Sequence, residues 1–173
     1  MKKIILVAVA ALVSLSAFAQ QGKLGAGVHA TYITADPGLF GVTAKVQYNV
    51  LDQIRPEASF TYCFKKDNIK FWTADVNVHY LFDLGAVTVY PLAGIEYAHS
   101  KVDMPNIQVP EGYEDLVPAV PSGSVKKWGV NLGCGVEYPL SESLALSAEA
   151  KYTLNKIYND GSLILGAGVI FKF

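Results

Sequence analysis

The chain has 173 residues, with 14 Lys+Arg against 15 Asp+Glu and 51% hydrophobic residues. That balance lacks the basic excess of a nucleic-acid binder, so no nucleic-acid partner is expected. Beyond the N-terminus no apolar run approaches the roughly 20 residues of a membrane helix, and the length suits one domain.

Residues 1–19 read as a secretory signal peptide. Lys2 and Lys3 form the positive n-region, residues 4–15 are apolar, and Ser16-Ala17-Phe18-Ala19 is a small-x-small cleavage site before Gln20. The 14 basic residues less Lys2 and Lys3 leave 12 against 15 acidic ones, so the mature domain, 20–173, is mildly acidic. The residue after the cleavage site is not cysteine, which argues against a lipid-anchored lipoprotein.

From residue 23 onward the chain alternates. A first strand over 23–33 turns Leu24, Ala26, Val28, Ala30 and Tyr32 to one face, and Asp36-Pro37-Gly38 ends it. The second, 40–50, sets Phe40, Val42, Ala44, Val46, Tyr48 and Val50 against Gly41, Thr43, Lys45, Gln47 and Asn49. In the third, Ile54, Pro56, Ala58, Phe60, Tyr62 and Phe64 oppose Arg55, Glu57, Ser59, Thr61 and Cys63. The fourth has Trp72, Ala74, Val76, Val78, Tyr80 and Phe82 against Thr73, Asp75, Asn77 and His79. The fifth sets Val87, Val89, Pro91, Ala93, Ile95 and Tyr97 against Thr88, Tyr90, Leu92, Gly94 and Glu96. Pro91 lacks a ladder donor, so a bulge or a one-residue slip is expected there.

Alternation stops over a long loop, 99–124, with Pro105, Pro110, Pro118 and Pro121. The sixth strand resumes with Trp128, Val130, Leu132, Cys134, Val136 and Tyr138 opposite Lys127, Asn131 and Glu137 among glycines. The seventh sets Leu144, Leu146, Ala148, Ala150, Tyr152 and Leu154 against Ser147, Glu149, Lys151 and Thr153. The eighth sets Leu163, Leu165, Ala167, Val169, Phe171 and Phe173 against Gly166, Gly168, Ile170 and Lys172. No apolar set holds Asp, Glu, Lys or Arg. A strand with one lipid-like and one polar face, repeated until a sheet closes, is how a β-barrel crosses a bilayer. The fold class expected is an all-β, eight-stranded, antiparallel up-and-down transmembrane barrel. Cys63 and Cys134 fall on opposite faces, so two free thiols are expected.

Aromatic positions supply an independent test. With odd strands running outward from the periplasm, Tyr32, Phe40, Phe64, Trp72, Tyr97, Trp128 and Tyr152 fall near one rim. Tyr48, Tyr80, Phe82, Tyr138, Phe171 and Phe173 fall near the other. Two such belts are expected of a barrel with two membrane interfaces. The long loop would then be external, and both termini periplasmic.

The signal peptide, the eight alternating segments and the closing Gly166-Ala167-Gly168-Val169-Ile170-Phe171-Lys172-Phe173 together resemble the small eight-stranded outer-membrane barrels, the OmpX-like and opacity-protein-like porin families. The resemblance implies the outer membrane of a Gram-negative bacterium, with outer-membrane lipid and lipopolysaccharide as surroundings. It also implies that Phe171 and Phe173 are the assembly signal read by the barrel-assembly machinery.

Eight strands enclose a lumen that side chains can fill. The expected lumen network is Lys45, Arg55, Glu57, Asp75, His79, Glu96, Glu137, Glu149 and Lys151, with opposite charges on neighbouring strands pairing because an unpaired buried charge is costly; Arg55 and Glu57 lie two apart on one strand, as do Glu149 and Lys151. A narrow solute pore is the alternative, since inward glycines leave space, although they also make room for neighbours such as Tyr90 and Arg55. A lipid A-modifying enzyme is a further alternative. Against it, His99 and Ser100 are adjacent and so on opposite faces, while His79 and Asp75 lie four residues apart, about 13 Å along a strand. His29 reads as a polar filler. No catalytic residue, metal site or cofactor is expected. The acidic loop 99–124, with Asp103, Glu111, Glu114 and Asp115, is the candidate for a surface ligand, although it lacks the spacing of a calcium loop.

Overall fold

The computed structural model describes residues 22–36, 38–66, 69–102, 124–158 and 160–173. Expectations about the signal peptide and the loop acids lie outside these residues. Eight long strands and one short one run in order: β1 (Leu24–Ile33), β2 (Leu39–Tyr48), β3 (Ile54–Lys66), β4 (Ile69–Tyr80), β5 (Phe82–Asp83), β6 (Thr88–Val102), β7 (Ser124–Pro139), β8 (Leu144–Leu154) and β9 (Ser162–Lys172). Consecutive strands pair antiparallel except β4 and β5, which both pair with β6, and β9 pairs with β1, so the sheet closes into a barrel of eight long strands. Closure removes the unpaired edges that hydrocarbon would not tolerate.

Period-two chemistry decides which way each strand faces. Lys45, Asp75, Glu96 and Glu149 are between 0% and 9% exposed, whereas Val28, Phe40, Trp128 and Leu132 are each more than half exposed. A slip of one residue would exchange these faces, and none occurs in the membrane-facing part of the ladders.

Pro91 behaves differently from the expectation. The β6–β7 register runs from Thr88↔Glu137 through Pro91↔Cys134 to Lys101↔Ser124 without a bulge. The cost falls on the other neighbour instead. Leu81 donates its amide to Gln53 O at 2.8 Å, so Tyr80 turns its backbone groups toward β6, opposite Pro91. Proline has no N–H to return. The β4–β6 ladder therefore stops at His79↔Leu92 and resumes in the same register as β5 at Phe82↔Val89. The chain then reverses through Gly85, whose φ of 83° suits glycine and whose amide donates to Asp83 Oδ1 at 2.8 Å. The register irregularity is found elsewhere, between Cys63 and Lys66 in β3.

The long loop is also shorter than expected. His99, Ser100 and Lys101 continue β6 and pair with β4 and β7, and Val102 pairs with β4, so the connection between β6 and β7 is 103–123. The connections 49–53 and 140–143 lie at the opposite end, with the first residue of β1 and the last of β9.

Candidate functional site: the lumen

The lumen has three layers. At the long-loop end an apolar cap joins Ile33, Leu39, Cys63, Phe71, Ala98, Tyr158 and Ile164, all buried. Each sits at the end of a strand on the inward parity, except Tyr158, which a 3-10 turn (Lys156–Tyr158) folds over the opening. Its ring meets Phe71 at 5.7 Å. Burial pushes the Tyr158 phenol up from its ordinary ionisation range, with the Glu96 carboxylate adding to the effect, so the cap stays neutral.

Below the cap the barrel wall carries a hydroxyl run, Thr31 to Thr43 at 2.6 Å and Thr43 to Thr61 at 2.7 Å. The charged layer follows, and all nine expected lumen residues lie in it. Lys45 Nζ binds Glu149 Oε2 at 2.7 Å and Glu57 Oε1 at 3.3 Å. Arg55 pairs with Glu137 at 2.6 Å, and Lys172 joins the same carboxylate at 3.2 Å. Lys151 pairs with Asp75 at 2.8 Å, where Asn131 also donates at 2.7 Å. Glu96 takes the Asn155 amide at 3.1 Å. His79 stacks on Tyr90 at 4.5 Å, and its Nδ1 accepts from Arg55 Nε at 3.3 Å.

The pairs are not the ones suggested by proximity in sequence. Arg55–Glu57 and Glu149–Lys151, two apart on single strands, do not form ion pairs. Lys45–Glu149 links β2 to β8, Arg55–Glu137 links β3 to β7, and Lys151–Asp75 links β8 to β4. Each of these three crosses the lumen between strands that are not neighbours, contrary to the expected pairing of neighbouring strands, which holds only for the longer Lys45–Glu57 contact between β2 and β3 among the described ion pairs. Gly135 is one of the inward glycines that make room: a Cβ there would run into the Tyr90 ring. His29 is 1% exposed beside Gly166 and Gly168, and neither ring nitrogen has a hydrogen-bond partner among the described residues.

Glu57, His79 and Glu149 offer ligand atoms within 4.8 Å of one another. Their chemistry does not suit a metal. The Lys45 ammonium already bridges both carboxylates. Because Arg55 donates to Nδ1, the remaining proton of the His79 ring sits on Nε2, which turns an N–H rather than a lone pair toward Glu57 at 3.8 Å. The other histidine with an adjacent hydroxyl, His99, faces outward and stacks on Trp72 at 5.3 Å, while Ser100 takes the opposite parity.

Under the charged layer a vestibule of about 860 Å³ opens at the short-turn end, bounded by Arg55, Glu137, Gln47 and Lys172. Outside, the expected girdle residues all face away from the lumen: Tyr32, Phe40, Phe64, Trp72, Tyr97, Trp128 and Tyr152 toward one end, Tyr48, Tyr80, Phe82, Tyr138 and Phe171 toward the other. Cys63 is buried in the cap and Cys134 is exposed on the outer face, both as free thiols.

A closed barrel with an ionised lumen and an apolar exterior defines an integral outer-membrane β-barrel. Residues 5–171 match the family model described as outer membrane protein beta-barrel domain, and the chain belongs to that family. No curated protein matches the chain. Among solved structures it is similar to Neisserial surface protein A, with TM-score 0.64, 18% identity, and 89% of this chain and 98% of that one covered. It is also similar to Ail, the attachment invasion locus protein of Yersinia pestis, in complex with the heparin analogue sucrose octasulfate, with TM-score 0.58, 17% identity, and 89% and 100% covered. The N-terminal β-barrel domain of Pseudomonas aeruginosa OprF gives TM-score 0.58, 19% identity, and 88% and 100% covered. Identities this low carry the fold alone.

Proposed function

We propose that the chain is a non-conducting, non-enzymatic structural barrel of the outer membrane, with both termini periplasmic and the 103–123 connection external. The observation that carries this reading is the filled lumen. An apolar cap and a layer of cross-lumen ion pairs lie in series, and a solute would have to part both. Outer-membrane lipid and lipopolysaccharide are its surroundings, and the barrel-assembly machinery would read Phe171 and Phe173 at the end of β9, both exposed. The segment 103–123 is the place for a surface ligand.

Single-channel recording of the purified protein in planar bilayers tests this reading. A flat trace is the expected result. Discrete, reproducible steps would support a narrow solute channel instead, the reading that the open vestibule favours. Lipid A extracted with and without expression should show identical acylation by mass spectrometry, and a changed pattern would make the protein a lipid-modifying enzyme.

A further inference from the structure

The outer face at the long-loop end carries more than a belt of rings. Across β3, β4, β6 and β7 four aromatic side chains form a continuous row. Phe60 meets Trp72 at 5.6 Å, Trp72 meets Tyr97 at 5.7 Å, and Tyr97 meets Trp128 at 4.9 Å. Beyond Tyr97↔Trp128 the register places His99 opposite Lys126, and Lys70 faces Lys101 further out. The stretches 69–72, 97–102 and 124–128 hold Lys70, Lys101, Lys126, Lys127 and His99 and no Asp or Glu. Lys156 lies in the adjoining cleft with Lys127 and Trp128, where Asp160 is the one acid.

Two residues along a strand is about 7 Å, so Lys126 and His99 stand one step above the Tyr97–Trp128 pair and Lys70 and Lys101 one step further out, while Lys127, opposite Ala98, takes the inward parity. Rings of this kind settle at the membrane interface, which puts the ammonium groups at the height of headgroup phosphates. Lysine stems can lie along the apolar wall while their charges stay in that layer. A soluble polyanion would engage the lysines and leave the ring row unused. A lipid uses both.

We infer that this face binds the anionic, phosphate-bearing headgroup of a bilayer lipid, with the acyl chains on the Phe60–Trp72–Tyr97–Trp128 row and the phosphate against Lys126 and His99. The inference names a site for the lipid partner proposed above and rests on that reading.

The chain's 2 tryptophans are Trp72 and Trp128, both in the row, so intrinsic fluorescence reports on this face alone. The full mature chain is inserted into phosphatidylcholine vesicles containing a minor fraction of either brominated phosphatidylglycerol or brominated phosphatidylcholine. A lysine beside an anionic headgroup is worth about a fivefold change in partition. Quenching should therefore favour phosphatidylglycerol by about fivefold or more, unlabelled lipid A should relieve it, and Lys126→Gln should bring the ratio to about unity. Lys23→Gln, at the other end, should leave it unchanged. Equal quenching by both lipids, or a preference that survives Lys126→Gln, overturns the inference while leaving the membrane reading intact. No quenching by either lipid overturns both. A change in tryptophan emission with inorganic phosphate, together with no lipid preference, would make this a soluble-anion site and reject the lipid.

Discussion

Replacing Lys45 by Met keeps the length of the side chain and removes one charge from the centre of the lumen. The ammonium contacts Glu149 at 2.7 Å and Glu57 at 3.3 Å, and all three side chains are at most 7% exposed. At an effective dielectric of about 20 these contacts are worth roughly 6 and 5 kcal/mol of gross attraction. Desolvation of each ion offsets this by several kcal/mol. After the substitution Glu149 keeps the Tyr90 hydroxyl at 3.4 Å, and Glu57 keeps Gln47 at 2.8 Å and Asn77 at 3.4 Å. Two buried carboxylates would then share neutral donors only, so Lys45→Met should lose about 3–5 kcal/mol, the range for breaking a buried pair. Urea unfolding in lipid vesicles, followed by tryptophan emission and by the mobility shift between folded and unfolded chains, measures the loss. The double variant Lys45→Met/Glu149→Gln should recover part of it, because the orphaned charge is gone. A single variant within about 0.5 kcal/mol of the parent, the usual range of an inconsequential surface change, would refute the claim that the lumen charges are structurally coupled.

Three further outcomes follow from the layers. In a Cys134→Ser background, a membrane-impermeant maleimide should leave Cys63 unmodified in the folded barrel and should label it once Phe71→Ala opens the cap; equal labelling of both would show that the cap does not seal. The same Phe71→Ala change should cost about 3–5 kcal/mol in the urea assay, as a large-to-small core substitution does. Gly135→Leu should cost about 1–3 kcal/mol by displacing the Tyr90 ring, as overpacking does, and Tyr90→Ala in the same chain should return part of that stability.

Sidedness was legible because hydrocarbon and lumen demand opposite chemistry from residues one apart, as Ala44 and Lys45 or Glu149 and Ala150 show. The partners of the charges were not. Whether Arg55 meets Glu57 or Glu137 depends on the stagger of the closed sheet, which alternation leaves open. The strand at 99–102 was missed for a related reason. Where a hairpin rises past the bilayer both of its faces meet water, so the ladder continues while the alternation fades, as in His99-Ser100-Lys101. The apolar cap was not legible because its strand members come one to a strand. The available signal was that inward positions near the long-loop end, Ile33, Phe71 and Ala98, are apolar on the parity that elsewhere carries charge.

The pairing of β9 with β1 has a kinetic consequence. Every other seam joins strands adjacent along the chain and can zip locally, but this last one waits for synthesis to finish. Contacts of such large sequence separation form slowly. Two of the cross-lumen ties involve β8, so Lys45 and Asp75 acquire their strongest partners only in the final steps of assembly. Until then their charges remain hydrated, and an incomplete sheet carries both raw edges and wet ions that oil rejects. Insertion is thereby made contingent on the final strand, and a chain that stalls early has no way to enter the membrane half-built.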